Sequence, residues 1–142
     1  MLYFAYGSNM CRGPMRERCP TAAEVGRGIL SGYRFVIMAN GYASVVPDAA
    51  HEVYGILWTI GPRDLFALDE YEDVAGGLYR KAMLPVGRDG AQTVEALVYL
   101  GSETRVGQPR PDYIEAVVSA ARDGGLPENY IAGLARFAPG AT

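Results

Sequence analysis

Four carboxylates fall within five consecutive positions, Asp69-Glu70-Tyr71-Glu72-Asp73, where a helical pattern runs out. The helix macrodipole disfavours negative charge there and the side chains repel one another, and such local conflicts gather at working sites. Repulsion and burial would each raise a carboxyl pKa, which is what a general base acting near neutral pH requires. The competing reading is a solvated acidic helix end. A second candidate is Tyr3-Phe4-Ala5-Tyr6-Gly7-Ser8-Asn9, where an apolar run stops at a glycine followed by polar turn residues. Such a loop aims successive backbone N–H groups at a ligand carboxylate or oxyanion. From these residues alone the plainer reading is a turn in which Ser8 or Asn9 caps the next helix.

Tyrosines form a third group, ten in all, including Tyr79 just after Gly76-Gly77, Tyr99 in a strand pattern and Tyr113 opening a helix. Phenolic hydroxyls on apolar rings suit a pocket that orients a small polar molecule. The single histidine, His51, excludes a His-rich metal site and reads as a surface residue at a strand start. Proton transfer therefore falls to another residue type. Cys11 and Cys19 lack CxxC spacing and read as two reduced thiols; a thiol enzyme built on Cys11 and His51 has little support. Gly26-Arg27-Gly28 with Gly32 lacks the strand-to-helix context of a dinucleotide fingerprint, and no Walker sequence occurs.

These residues need a frame. Leu2 to Tyr6 predicts a strand, and Gly13-Pro14 predicts a broken or late-starting helix around Met10 to Arg18, with Pro14 in its first turn. Residues 23–30 and 33–39 read as two strands separated by Ser31-Gly32, and 42–46 and 51–60 as two more. Gly61-Pro62 opens a helix with Leu65 and Leu68 on one face. Residues 78–86 and 93–100 form a hairpin about Arg88-Asp89-Gly90, with Pro85 demoting the end of its strand. Ile114, Val117, Val118 and Ala121 keep helical spacing, and a further short helix follows Leu126-Pro127. The mixture implies an α+β domain, a small curled sheet or barrel with interspersed helices.

The 142 residues, 49% hydrophobic and 20% charged, are expected to form a single domain over 1–142. A net charge of -3 argues against nucleic acid as a partner. No apolar run approaches the roughly 20 residues of a membrane span, and Met1 leads straight into the apolar stretch with no basic leader. The expectation is a cytoplasmic protein without a membrane partner.

Taken together, Tyr3-Phe4-Ala5-Tyr6-Gly7-Ser8-Asn9 and Leu68-Asp69-Glu70-Tyr71-Glu72 resemble the gamma-glutamylcyclotransferase (AIG2-like) family. The resemblance continues through Gly77-Leu78-Tyr79, Val98-Tyr99-Leu100, Asp112-Tyr113 and Gly125-Leu126-Pro127-Glu128-Asn129-Tyr130, in family order over nearly the whole chain. It implies a small mixed, mainly antiparallel β-barrel flanked by helices. The implied reaction converts a gamma-glutamyl amino acid into 5-oxoproline and the free amino acid, without metal or organic cofactor. The resemblance places the catalytic glutamate on Glu72 rather than Glu70, and the substrate-holding loop on Tyr3, Phe4, Ala5, Tyr6, Gly7 and Ser8. It adds Tyr113 as a binding residue and Tyr79 and Tyr99 as pocket lining. One departure is Asp73, where many relatives carry glycine; an extra carboxylate there could shift Glu72 or alter the loop.

The implied partner is a small-molecule gamma-glutamyl substrate, and the oligomeric state stays open, a homodimer included. Ser8-Asn9 leans towards gamma-glutamyl amino acids over gamma-glutamylamines, glutathione-like peptides or carrier-bound gamma-glutamyl groups. From a different class, a non-catalytic binding module would keep the anion cradle and use its glutamate only as a helix-end residue.

Overall fold

The first strand, β1 (Leu2–Ala5), is apolar throughout and lies between two partners. It pairs antiparallel with β3 (Ala43–Thr59), setting Tyr3 opposite Trp58, and parallel with β5 (Thr93–Gly101) at Tyr3 and Leu97. The computed structural model describes residues 1–88 and 92–138. Within these, β3 pairs along β2 (Ala23–Ile37), β2 meets the end of β4 (Tyr79–Arg88) at Gly28 and Ile29, and β4 pairs with β5. The ring closes in the order β1-β3-β2-β4-β5. This is the small mixed, mainly antiparallel barrel expected, with β1 and β5 as its parallel pair.

Close packing inside the barrel depends on small residues. A side chain on Gly55 would put its Cβ 2.3 Å from the Ala5 carbonyl and 2.8 Å from the Phe4 ring, and one on Gly28 would meet Val86, Leu57 and Phe4. Phe4 therefore fills space left by glycines on two other strands and is fully buried with Leu57, Val86 and Val98. Burial of each such side chain stabilises the fold by about 1.5–3 kcal/mol.

Helices α1 (Arg12–Arg18), α2 (Pro62–Tyr71), α3 (Tyr113–Asp123) and α4 (Glu128–Ala135) flank the barrel. The expected late start is seen: a 3-10 turn over Ser8–Met10 precedes α1, and Pro14 lies in the first turn of α1. Helix α3 buries Ile114, Val117, Ala120 and Ala121 on one face, while Val118 is only half-buried. The start of α2 is anchored by Asp64, whose Oδ2 accepts from Gly61 N at 2.9 Å and from Thr21 Oγ1 at 2.7 Å. No helix among the described residues is long and apolar enough to cross a membrane.

Two strand boundaries differ from expectation. Ser31-Gly32 does not separate two strands: Gly32 takes a φ of +81° within a single β2, and pairing jumps from Ser31 with Glu52 to Tyr33 with Pro47. The residues between Pro47 and Glu52 bulge out, so 42–46 and 51–60 likewise join in β3. Asp48 holds this excursion by accepting from Ala50 N and Arg34 Nε and by pairing with His51. The polar signals were real, but strand pairing on both sides continues past them. Pro85 likewise sits inside β4 opposite Glu95, outside the short stretch where β4 meets β2. Of the hairpin signal, Asp89 and Gly90 lie outside the described residues.

Candidate active site

The chain leaves α2 through a tight turn. Glu72 N still bonds to Leu68 O at 2.9 Å, and Asp73 then enters the left-handed region at a φ of +50°. This reversal sends the four carboxylates to different environments. Asp69 accepts from Lys81 Nζ at 2.8 Å and from Tyr99 Oη at 2.7 Å. Asp73 turns back to accept from Gly76 N at 3.2 Å, and Glu70 faces solvent. Glu72 is half-buried, and no hydrogen bond or ion pair engages its carboxyl among the described residues.

Burial pushes the Glu72 carboxyl up to about 7, opposed by the Arg18 guanidinium. Of the two causes expected, burial is at work, while mutual repulsion in the acidic run plays no part. Asp73 does not supply the charge either, its carboxylate being committed to Gly76. The left-handed backbone at Asp73 suits glycine, and aspartate is among the few other residues that visit this region readily.

Glu72 opens into a cavity of about 120 Å³, far below the roughly 300–1,000 Å³ of pockets that take drug-sized ligands. Tyr3, Phe4, Tyr6, Gly7, Ser8, Tyr79 and Tyr113 line it with Glu72, as does Tyr99. Ala5 does not: its side chain is buried within the core, while Tyr3, Phe4 and Tyr6 around it reach the pocket. Neither cysteine nor His51 lines the cavity, and burial pushes the Cys19 thiol up to about 11. Among the described residues no cluster of three or more His, Cys, Asp or Glu could hold a metal ion.

The hydroxyls divide by polarity. Tyr6 donates to Tyr99 O at 2.6 Å, Tyr79 donates to Ala43 O, and Tyr99 donates to Asp69. Each has spent its one proton and offers only an acceptor to a ligand. Tyr3 instead accepts from Asn9 Nδ2 at 2.9 Å, and Tyr113 accepts from Ala43 N at 3.4 Å, so both keep a proton to donate. Burial raises all five phenols well above their ordinary value, and the Glu72 carboxylate raises them further. They stay neutral across the range in which Glu72 titrates.

The first loop closes the other side. Met10 N and Cys11 N bond to Gly7 O and Ser8 O, whereas the amides of Ser8 and Asn9 have no partner among the described residues. A Cβ on Gly7 would stand 3.1 Å from Tyr113 Oη, so glycine permits the close approach of loop and ring. The capping role expected of Ser8 or Asn9 is not found: neither helix start has a side-chain cap. Asn9 holds Tyr3 and accepts from Arg18, and Ser8 Oγ meets Tyr71 Oη at 3.0 Å.

Sequence reasoning missed Asn9 as a pocket residue, and also Tyr42, Tyr71 and Arg18. Tyr71 lies inside the acidic motif and was open to notice. Arg18 carries no local signal, since its partners come from Asn9 and from α2.

A family model described as the AIG2-like family matches residues 52–134. The gamma-glutamylcyclotransferase of Homo sapiens is 28% identical over 139 residues, spanning 91% of this chain and 74% of that protein. The protein of the same name from Mus musculus is 27% identical with the same coverage. A solved structure of a gamma-glutamyl cyclotransferase is similar with a TM-score of 0.88 at 26% identity, over 94% of this chain and 85% of that one.

Proposed function

The chain belongs to the AIG2-like family, and from that membership we propose that it is a gamma-glutamylcyclotransferase with Glu72 as its general acid and base. The substrate is a gamma-glutamyl amino acid, and the products are 5-oxoproline and the free amino acid. The observation that carries this reading is the half-buried Glu72 carboxyl, without a partner among the described residues, facing a small pocket of neutral tyrosines and the Gly7-Ser8 loop.

In this reaction the substrate's α-amino group attacks its own γ-carbonyl and closes a five-membered ring. The nucleophile is already tethered, so the protein needs no Ser, Cys or Lys nucleophile and gains chiefly by holding a bent conformer. The ammonium must lose a proton before it attacks, and the departing amine must gain one. A carboxyl titrating at about 7 can do both in turn at neutral pH, since its conjugate forms are comparably populated. Acceptor hydroxyls on Tyr6, Tyr79 and Tyr99 suit an ammonium beside Glu72. The unpartnered Ser8 and Asn9 amides and the Tyr113 hydroxyl suit negative oxygen, including the oxyanion of the tetrahedral intermediate.

A panel of gamma-glutamyl dipeptides assayed by mass spectrometry tests the reading. Loss of the dipeptide with matched appearance of 5-oxoproline and free amino acid supports it. Release of free glutamate instead would indicate hydrolysis and overturn it.

A further inference from the structure

Arg18 closes α1 and is half-buried, yet it makes no ion pair with any carboxylate among the described residues. Its guanidinium is engaged otherwise. One N–H group donates to Asn9 Oδ1, and the buried Asn9 passes the contact on through Nδ2 to the Tyr3 hydroxyl. The guanidinium plane also covers the Tyr71 ring, with Cζ 3.5 Å from the centroid. Tyr71 meets Ser8 through its hydroxyl and is the chain neighbour of Glu72. Arg18 thus touches both walls of the pocket, the first loop and the end of α2, without lining the cavity itself.

We propose that Arg18 is a positioning residue of this pocket: its guanidinium couples the Gly7–Asn9 loop to the end of α2 and lays a cation on Tyr71, the chain neighbour of Glu72. The proposal rests on the reading of Glu72 as the acid–base group. The titratable groups around Glu72 are Tyr3 from β1, Tyr6 just beyond it, Tyr42 just before β3, Tyr71 from α2, Tyr79 from β4, Tyr99 from β5 and Tyr113 from α3, all lining the pocket, with Arg18 from α1 behind them. The phenols of Tyr3, Tyr6, Tyr79, Tyr99 and Tyr113 stay neutral, and Asp69 is turned to Lys81 and Tyr99. Arg18 is therefore the charge that favours the ionised, base-competent form of Glu72.

Two substitutions separate geometry from charge. Lysine keeps the charge but cannot lay a planar fork on Tyr71 while bonding to Asn9, whereas glutamine removes the charge. The experiment follows the Glu72 carboxyl by carbon-13 NMR in wild type, R18K and R18Q, and measures kcat/KM for a gamma-glutamyl dipeptide over the same pH range. The expected result for R18Q is an upward shift of the Glu72 midpoint by about 0.5–1 unit, with the acid limb of kcat/KM moving alongside. The expected result for R18K is a midpoint close to wild type with a loss of about tenfold in kcat/KM at every pH. A merely structural arginine would lower stability or activity uniformly in pH and leave the midpoint in place. An unchanged midpoint in R18Q therefore overturns the proposal whatever the activity, as does an R18K enzyme indistinguishable from wild type in kcat/KM. R18M keeps the apolar stem over Tyr71 and supplies the same titration if R18Q does not fold. The titration needs no turnover, so failure of the cyclotransferase reading would show in the dipeptide assay alone.

Discussion

Asp69 and Glu72 stand three residues apart at the end of α2, and their carboxylates have opposite fates: Asp69 is held by Lys81 and Tyr99, while Glu72, in the pocket, has no partner among the described residues. The arrangement accounts for how a crowded acidic helix end leaves one carboxyl without a partner among the described residues. Asp69, Glu70 and Asp73 find a cation, solvent or a backbone amide. Glu72 lines a pocket rich in neutral phenols with a guanidinium one contact away, and burial dominates its titration.

The first prediction concerns pH. With Glu72 titrating at about 7, kcat/KM should rise as pH increases through about 7, because the base-competent form is the ionised one. An unperturbed carboxylate would place that limb near about 4.3. A pH series from about 4 to 9 with a gamma-glutamyl dipeptide decides it, and a flat profile between pH 5 and 8 would remove the assignment of Glu72 as base.

Stability carries the same signature with a definite sign. The folded state raises the Glu72 pKa from 4.5 to about 7. It therefore holds this proton where the unfolded chain has lost it, and stability falls as pH rises from about 4.5 to 7. The associated cost is at most about 3–4 kcal/mol. Glu72→Gln removes it, so the variant should gain about 1–3 kcal/mol relative to wild type between about pH 4 and pH 8.5 in denaturant titrations. A difference in unfolding free energy that stays constant with pH would contradict the buried carboxyl.

Backbone conformation at Asp73 gives a third expectation. Its φ of +50° costs most side chains about 1–2 kcal/mol. Asp73→Ala also loses the bond to Gly76 N and should destabilise by about 1–2 kcal/mol in thermal or urea unfolding. Asp73→Gly should stay within about 0.5 kcal/mol of wild type, relief of the backbone offsetting the lost bond. Equal losses in the two variants would argue against the left-handed turn that presents Glu72.

The barrel interior supplies a fourth. In Gly55→Ala the new Cβ meets the Ala5 carbonyl and the Phe4 ring, so β1 must shift. The loss should reach about 1–3 kcal/mol or more in denaturant unfolding. Dipeptide turnover should fall with it, because β1 leads into the loop that forms one wall of the pocket. Wild-type stability in this variant would mean that β1 and β3 are not packed as closely as described.

Much of the site was legible before the fold was known, because its two main parts are local. Tyr3 to Asn9 is a strand running into a glycine turn, and Leu68 to Glu72 is a helix running into acid; residue type alone marks both. Partner choice was not legible. Nothing near Asp69 announces Lys81 and Tyr99, which reach it from β4 and β5. Asn9 reads as a cap because local geometry favours that use, yet its amide is drawn to Tyr3 and Arg18 once β1 and α1 converge. The Ser31-Gly32 break misled for a related reason: a glycine at positive φ ends a strand when its neighbours are unpaired and makes a bulge when they are paired. Such outcomes depend on contacts between elements distant in sequence.

The most direct test compares Glu72→Gln with Glu70→Gln in the release of 5-oxoproline from a gamma-glutamyl dipeptide, with dipeptide binding followed separately by calorimetry. The account predicts that Glu72→Gln folds and binds yet loses about 10²–10⁴-fold in release, while Glu70→Gln, altered at a solvent-facing side chain, stays near wild type. Near wild-type release by Glu72→Gln, or a loss confined to Glu70→Gln, would contradict it.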